Sequence, residues 1–270
     1  MIPTILFRAD SDNTEEFDIL KYTKFKVITQ RSQVIAGDFI IGRYSVLPYY
    51  KELMEDIVFN GGELVNSHAQ HLWISNFFGY YEVLKDYTFQ TWRSNELPYV
   101  DYDGAYVVKG VTNSKKHKWN THMFAENRRK AIEIGIELQS DMLLASQDVI
   151  YRKFDPDLKV FEVGVNGMRF TNEWRVFCYK GKILSTGYYW TCAKDADTIN
   201  DAGLSQRGLD FVSKMAEMVV DYVNFYVIDI AERNDGSWVV VEINDGQMSG
   251  LSMNNMKTLY DNLYEAAKNH

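Results

Sequence analysis

"VIDIAERNDGSWVVVEIND", residues 227–245, reads as two apolar strands around a tight turn, with an acid set into each strand. Asp235-Gly236 between β-branched runs favours a two-residue type I′ hairpin loop. That loop predicts a register in which Asn234 faces Ser237 and Asp229 lies directly opposite Glu242. Side chains alternate along a strand, so Glu242 and Asn244 share the face that Asp229 occupies. Like charges opposed in a sheet destabilise it, by an amount comparable with the roughly 0.2–1 kcal/mol of a good cross-strand pair, so a cation between them is expected. Two carboxylates and an amide oxygen form a hard donor set that suits Mg²⁺ in company with water and nucleotide phosphates. The alternative is a solvated face with two weakly repelling acids, and a three-residue loop would spoil the register.

The whole chain has 270 residues, 46% of them hydrophobic, enough to bury a substantial core in two or three modules. A net charge of −8 disfavours broad attraction to nucleic acid or anionic lipid, so any anion site must be built locally. Cys178 and Cys192 have no CxxC partner, which argues against structural zinc and a disulfide framework. The start "MIPTILFRADSDN" lacks the basic residues and long apolar run of a secretory signal, and no later stretch is apolar enough to span a bilayer. These features predict a soluble cytoplasmic protein with no membrane partner.

Three modules are expected. In residues 1–90, "TILFRAD" and "KFKVITQ" read as strands and "GDFIIGRYSVLPYYKELMEDIVFNGGELVNS" as strand, loop, helix, Gly61-Gly62 stop and strand, a small α/β unit. Tyr50, Met54, Ile57 and Val58 would form the buried stripe of its helix. Residues 91–154 give the strand "GAYVVKG", a polar loop, a helix around "AENRRKAIEIGIELQ" and the strand "DVIYRKF". Residues 155–270 give antiparallel strands "KVFEVGVN", "NEWRVFCYKGKILSTGYYW" and the opening hairpin. Two amphipathic helices accompany them, with stripes Val212, Met215, Ala216, Val219, Val223 and Met256, Leu259, Tyr260, Leu263.

Lys109 ends an apolar strand, where an ammonium needs an anion or water. Lys115, Lys116, His117 and Lys118 follow as a basic loop that either closes over a triphosphate or is a plain exposed charge run. Its lack of glycine sets it apart from Walker and GxGxxG loops. Arg175 stands two residues after Glu173 on one strand face, with that glutamate as a structural partner or with a phosphate or carboxylate to grip. Arg43 ends a strand of the first module and could reach the same cleft. His68 and His71 read as capping or packing residues, and no Ser-His-Asp arrangement or cysteine nucleophile is legible.

The order of these features, strand lysine, loop, hinge strand "DVIYRKF" and a hairpin with Asp…Glu-x-Asn, resembles the ATP-grasp superfamily. "IGRYSVLPYYKELMEDIVFNGGELVNSHAQH" and "NEWRVF" resemble its phage and bacterial branch named for two arginines and a lysine. The resemblance implies an α+β ATP-grasp fold, two α+β lobes (91–154 and 155–270) clasping ATP, preceded by a small α/β domain (1–90). It implies carboxylate–amine ligation through an acyl phosphate with release of ADP, and a location in the cytoplasm, of the host cell if phage-encoded. Asp229, Glu242 and Asn244 would hold Mg²⁺; Lys109, Lys116 and Lys118 the phosphates; and Tyr151, Arg152, Lys153, Phe154 and Asp155 the nucleotide at the hinge. Arg175 would stabilise the transferring phosphoryl group and Arg43 would orient the substrate carboxylate. Asp155 and Glu162 are candidates for the ribose contact. The partners would be a small-molecule or peptide carboxylate and an amine, with nucleic acid entering only as a modified-base acceptor. Two other readings stay open: a nucleotidyltransferase of the polynucleotide ligase kind, although no Lys-x-Asp-Gly occurs, and an ATP-binding module without turnover.

Overall fold

The computed structural model describes residues 1–8, 14–111, 114–140 and 148–268; Ala9 and Asp10 of the first expected strand and Thr112 and Asn113 of the expected polar loop lie outside them. A parallel sheet of order β2-β1-β3-β4 comes first, from β1 (Ile2–Phe7), β2 (Lys26–Ile28), β3 (Asp38–Arg43) and β4 (Glu63–Leu64), with helices α1 (Thr14–Leu20) and α2 (Tyr50–Phe59). Helix α2 buries Tyr50, Leu53 and Ile57, whereas Val58 is exposed. The i, i+3, i+7 line faces the sheet, and Val58 falls past its edge. Gly61 then takes φ +79°, a left-handed conformation that ends the helix at little cost only for glycine.

Helices α3 (His68–Ser75) and α4 (Phe77–Leu84) lead into an antiparallel sheet of order β5-β8-β6-β7, from β5 (Thr91–Arg93), β6 (Tyr106–Gly110), β7 (Phe124–Ala125) and β8 (Val149–Lys153). Between its strands run the single turn α5 (Trp119–His122) and α6 (Arg128–Gln139). Asn127 caps α6 by accepting the N–H of Lys130 at 2.9 Å, and Ala131, Ile134 and Leu138 bury its apolar face on Tyr106, Val108 and Tyr151.

A small hairpin, β9 (Val160–Val163) and β10 (Arg169–Thr171), precedes the third four-stranded sheet. That sheet is antiparallel, order β12-β11-β13-β14, with β11 (Glu173–Tyr179), β12 (Lys182–Tyr188), β13 (Phe225–Glu232) and β14 (Trp238–Asp245). Helices α7 (Ala196–Ala202), α8 (Gln206–Val219) and α9 (Met256–Ala267) complete the chain. One face carries Val176, Ile228 and Ile230 into a core with Val212 and Met215 of α8 and Phe77 and Leu84 of α4, so α4, from the first expected module, packs on the third sheet. The opposite face packs Phe177, Phe225 and Val227 on Leu259 and Leu263 of α9 and on Phe7 and Phe39 of the first sheet. Beyond that apolar cover, the alternation of β11 and β13 carries Glu173, Arg175 and Asp229 into a cleft on the same face.

The hairpin departs from the expected turn. Arg233 N donates to Ser237 O at 2.8 Å and Gly236 has φ +81°, so the loop holds three residues and Asn234 does not face Ser237. The strands therefore start one residue out of the expected register, pairing Ile230 with Val240. A β-bulge then places Val241 as an extra residue and restores Asp229 opposite Glu242. Because side chains alternate, the bulge turns Glu242 and Asn244 to the cleft and leaves Val240 and Ile243 together in the core.

Arg43 does not reach the cleft, which corrects its expected role. It is 4% exposed, donating Nε to Glu16 Oε1 at 2.7 Å and to Tyr260 Oη at 3.3 Å, and Nη1 to the carbonyl of Gly246. It is a buried clamp between the first sheet, α1, α9 and the segment after β14. Replacement by alanine leaves Glu16 buried without its cation, an expected loss of about 3–5 kcal/mol in urea unfolding; a loss within experimental error would contradict the clamp.

Candidate active site

Strand β6 of the second sheet and strands β11, β13 and β14 of the third bring their polar residues together across the cleft. Arg175 lies opposite Asp229, and Asp229 opposite Glu242, so three strands hold a continuous row of charges. Arg175 forks onto Asp229, Nε to Oδ1 at 2.9 Å and Nη2 to Oδ2 at 2.7 Å, while its Nη1 donates to Gly250 O at 2.9 Å. Lys109, one residue before the end of β6, reaches from the facing lobe to Glu242 Oε2 at 2.5 Å. The positive charge expected between the opposed acids is thus supplied by Arg175 and Lys109. Glu173, the other expected partner of Arg175, instead accepts from Thr171 Oγ1 at 3.2 Å.

Electrostatics follow from this burial. Burial works against ionised Glu242, but Lys109, Lys116 and a hydrogen bond from Asn244 outweigh it and hold the carboxyl down to about 2. Lys109 is lowered, first by burial and then by nearby Arg152 and Lys116, with Glu242 opposing. Burial pushes Glu173 up to about 7, with Asp229 adding to the rise and Lys116, Thr171 and Arg175 opposing it. Burial also opposes the charge on Arg175, yet Asp229 lifts its pKa above the ordinary value.

Two adjoining cavities open on either side of this row and share Lys109, Ser114, Lys116, Tyr189 and Glu242 along their common wall. The first runs to the hinge and is apolar at its far end, where Trp119, Met123, Phe154 and Met168 line it. Arg152 spans from the hinge strand to the bulge, donating Nη1 to Val241 O at 2.6 Å and Nη2 to Thr88 Oγ1 at 3.0 Å. Lys153 and Asp155 complete this wall, Asp155 accepting from Arg233 Nε at 2.7 Å. The second cavity is more polar and includes Arg175, Asn244, Ser249 and His71.

Of the expected nucleotide contacts, the side chains of Tyr151, Lys118 and Glu162 line neither cavity. Tyr151 points behind β8 into the core, its hydroxyl so close to Gly135 that a Cβ there would come within 1.9 Å. The N–H groups of Lys153 and Phe154 are already donated to Gln90 O at 2.8 Å and Ala105 O at 2.9 Å. Lys118 is exposed and lines neither cavity, because Lys116–Lys118 forms a single 3-10 turn that aims Lys116 inward and Lys118 out. Lys116 lies 4.2 Å from the centre of the Tyr189 ring and donates to the Tyr189 hydroxyl. Glu162 is also outside the cavity walls and accepts from Lys194 N at 2.8 Å. Tyr189 and Trp190, which line the first cavity, were not among the expected site residues; the aromatic run "GYYW" at the end of β12, which suits a pocket wall or a core equally, was their signal.

The oxygen set fits Mg²⁺. Asp229 accepts two N–H groups, and a carboxylate has about four lone-pair sites, so it keeps acceptor capacity. Among the described residues no three His, Cys, Asp or Glu side chains converge. A cation here would need Asn244 and oxygens from outside the protein, as Mg²⁺ at nucleotide sites commonly does. No described helix is long and apolar enough to cross a membrane.

Residues 96–263 match the model of an ATP-grasp domain family, the third family of one clade within that superfamily. No curated protein matches the chain. Among solved structures, D-alanine–D-alanine ligase from Bacillus anthracis complexed with ATP is 11% identical with a TM-score of 0.63, covering 99% of this chain and 96% of that one. D-Cycloserine synthetase DcsG is 13% identical with a TM-score of 0.62, covering 98% and 99%. ATP-grasp ligase PsnB, complexed with a phosphomimetic precursor variant, Mg and ADP, is 12% identical with a TM-score of 0.57, covering 98% and 97%. At these identities the likeness establishes the fold.

Glu173 yields a prediction with a definite sign. An acid whose folded pKa is raised loses stability as pH climbs from its unfolded value to its folded one. For a rise from 4.5 to about 7 that is roughly 3 kcal/mol of stability missing above the window. Glu173→Gln should therefore unfold at higher urea than the parent above about pH 7, and the gap should close below about pH 4.5. A gap independent of pH would contradict the assignment.

Proposed function

The chain belongs to the ATP-grasp family, and from that premise we propose that it is an ATP-dependent ligase joining a carboxylate to an amine. The observation that carries this is the charge row at the wall between two cavities, with Lys109 and Lys116 from one lobe meeting Arg175, Asp229, Glu242 and Asn244 from the other. ATP lies in the first cavity, its base against Phe154 and Met168 and its phosphates toward Lys109 and Lys116. With their N–H groups engaged, Lys153 and Phe154 offer the base carbonyl oxygens and side chains.

Asp229, Glu242 and Asn244 hold Mg²⁺, which when bound offsets phosphate charge. The residues do the remaining work by position. Arg175 opens on the second cavity, where it orients the carboxylate and stabilises the phosphoryl group passing to it. The γ-phosphoryl moves to the carboxylate oxygen, the bond to ADP breaks, and an amine then displaces phosphate from the acyl carbon. Trp119 and Trp190 wall the site with apolar surface and limit water, against which an acyl phosphate must be protected.

Nucleotide turnover with Mg²⁺, the proteinogenic amino acids and simple amines tests the reading. ADP should form only when a carboxylate is present, and Glu242→Gln should lower the rate roughly 100-fold, as removal of a preorganised charge does. AMP as the product would instead indicate a nucleotidyltransferase and sink the ligase.

A further inference from the structure

The second cavity contains a histidine–aspartate pair that the ligase reading above does not use. His71, near the N-terminus of α3, is 4% exposed and lines that cavity. Its Nδ1 lies 3.1 Å from Asp245 Oδ2, at the end of β14 and next to Asn244. The other oxygen of Asp245 accepts from Gln247 N at 2.9 Å and from Asn66 Nδ2 at 3.2 Å. An acceptor surrounded by donors fixes the tautomer of the neutral ring, with the proton on Nδ1 and the lone pair on Nε2. Among the described residues Nε2 has no hydrogen-bond partner.

The ring is locked in place. Tyr50 stacks on it with centroids 3.8 Å apart and planes 2° apart. Tyr50 is itself held, its hydroxyl donating to Asn66 O at 2.8 Å and accepting from Gln247 Nε2 at 2.8 Å. A histidine serving only as packing has no need of a carboxylate partner at Nδ1 that is itself held by two donors.

We infer that His71 is the general base for the attacking amine, with Asp245 as its positioning residue, and that the second cavity is the seat of a primary ammonium. The inference rests on the proposed ligase reaction. A primary amine is largely protonated at neutral pH and cannot attack until it loses a proton. His71 Nε2 takes one proton from the ammonium; the nitrogen lone pair forms the C–N bond; the acyl carbon–oxygen bond breaks and phosphate leaves with its electron pair; the second nitrogen proton departs with the phosphate. His71 is needed for the second half of the reaction and not for the first.

Hydroxylamine separates the halves, because it is uncharged at neutral pH and traps acyl phosphates without a base. Parent, His71→Gln and Asp245→Asn are compared with ATP, Mg²⁺ and the proteinogenic amino acids, with and without hydroxylamine, scoring hydroxamate and amide. The expected result is hydroxamate from all three proteins and amide at least 100-fold slower in His71→Gln, as loss of a general base implies. Asp245→Asn should fall between, with kcat reduced more than KM is raised. Equal amide formation by His71→Gln and the parent overturns the base assignment while the ligase stands. Loss of hydroxamate and amide together in a folded His71→Gln makes the residue structural and also overturns it. No hydroxamate from the parent counts against the ligase itself, and this inference falls with it.

Discussion

The extra residue at Val241 is the constraint on which the site depends. Without the bulge, the three-residue loop would pair Glu242 with Ile228 and turn it toward the core formed with α8. A carboxylate there would be desolvated with no cation in reach, at a cost of several kcal/mol. With the bulge, Glu242 and Asn244 join Asp229 and Arg175 on the cleft face. A bulge also breaks the hydrogen-bond ladder, and the carbonyl of Val241 finds its partner in Arg152 of the hinge strand. One irregularity thus aims the acids and ties the two lobes together.

That tie explains why the cleft can hold so much buried charge. Lys109, Lys116 and Arg152 come from the second sheet and its loop, whereas Glu173, Asp229 and Glu242 come from the third. The second sheet alone would expose a row of cations, and in the third only Asp229 would keep a cation, Arg175. Closed on each other, the two rows neutralise, and Glu242 is held ionised at about 2 because the cations opposite are equally buried. Among the described residues Glu173 has no direct ion pair, only Thr171 as a hydrogen-bond donor, and burial pushes its carboxyl up to about 7.

The fold and the centre of the site were largely legible, for a physical reason. Asp229, Glu242 and Asn244 lie in one hairpin, and Lys109 at the end of an apolar run, where local periodicity fixes orientation. What sequence could not supply was pairing across long separations. Arg43 finds Glu16 and Tyr260, and His71 finds Asp245, through contacts between elements far apart in the chain. The inward turn of Lys116 and outward turn of Lys118 depend on a short 3-10 turn that charge counting does not register. The true loop length was also hidden, since Asp-Gly suits both two- and three-residue loops; loop and bulge each shift the register by one, so the expected pairing of Asp229 with Glu242 survived a wrong turn.

The same charge row bears on how ligands enter. Arg175 occupies both oxygens of Asp229, and Lys109 one oxygen of Glu242, so the acids are already neutralised inside the protein. A cation binding alone would compete with these partners and leave Lys109 and Arg175 buried with weakened pairing, which is costly. Phosphate oxygens binding alone would gain Lys109 and Lys116 but meet Glu242 beside them. Under the proposed function, only a cation and phosphates arriving together would leave every charge an opposite neighbour, the lysines facing phosphate and the carboxylates facing metal. The ion pairs would then, under that same proposed function, make the site selective for the metal–nucleotide complex over either component.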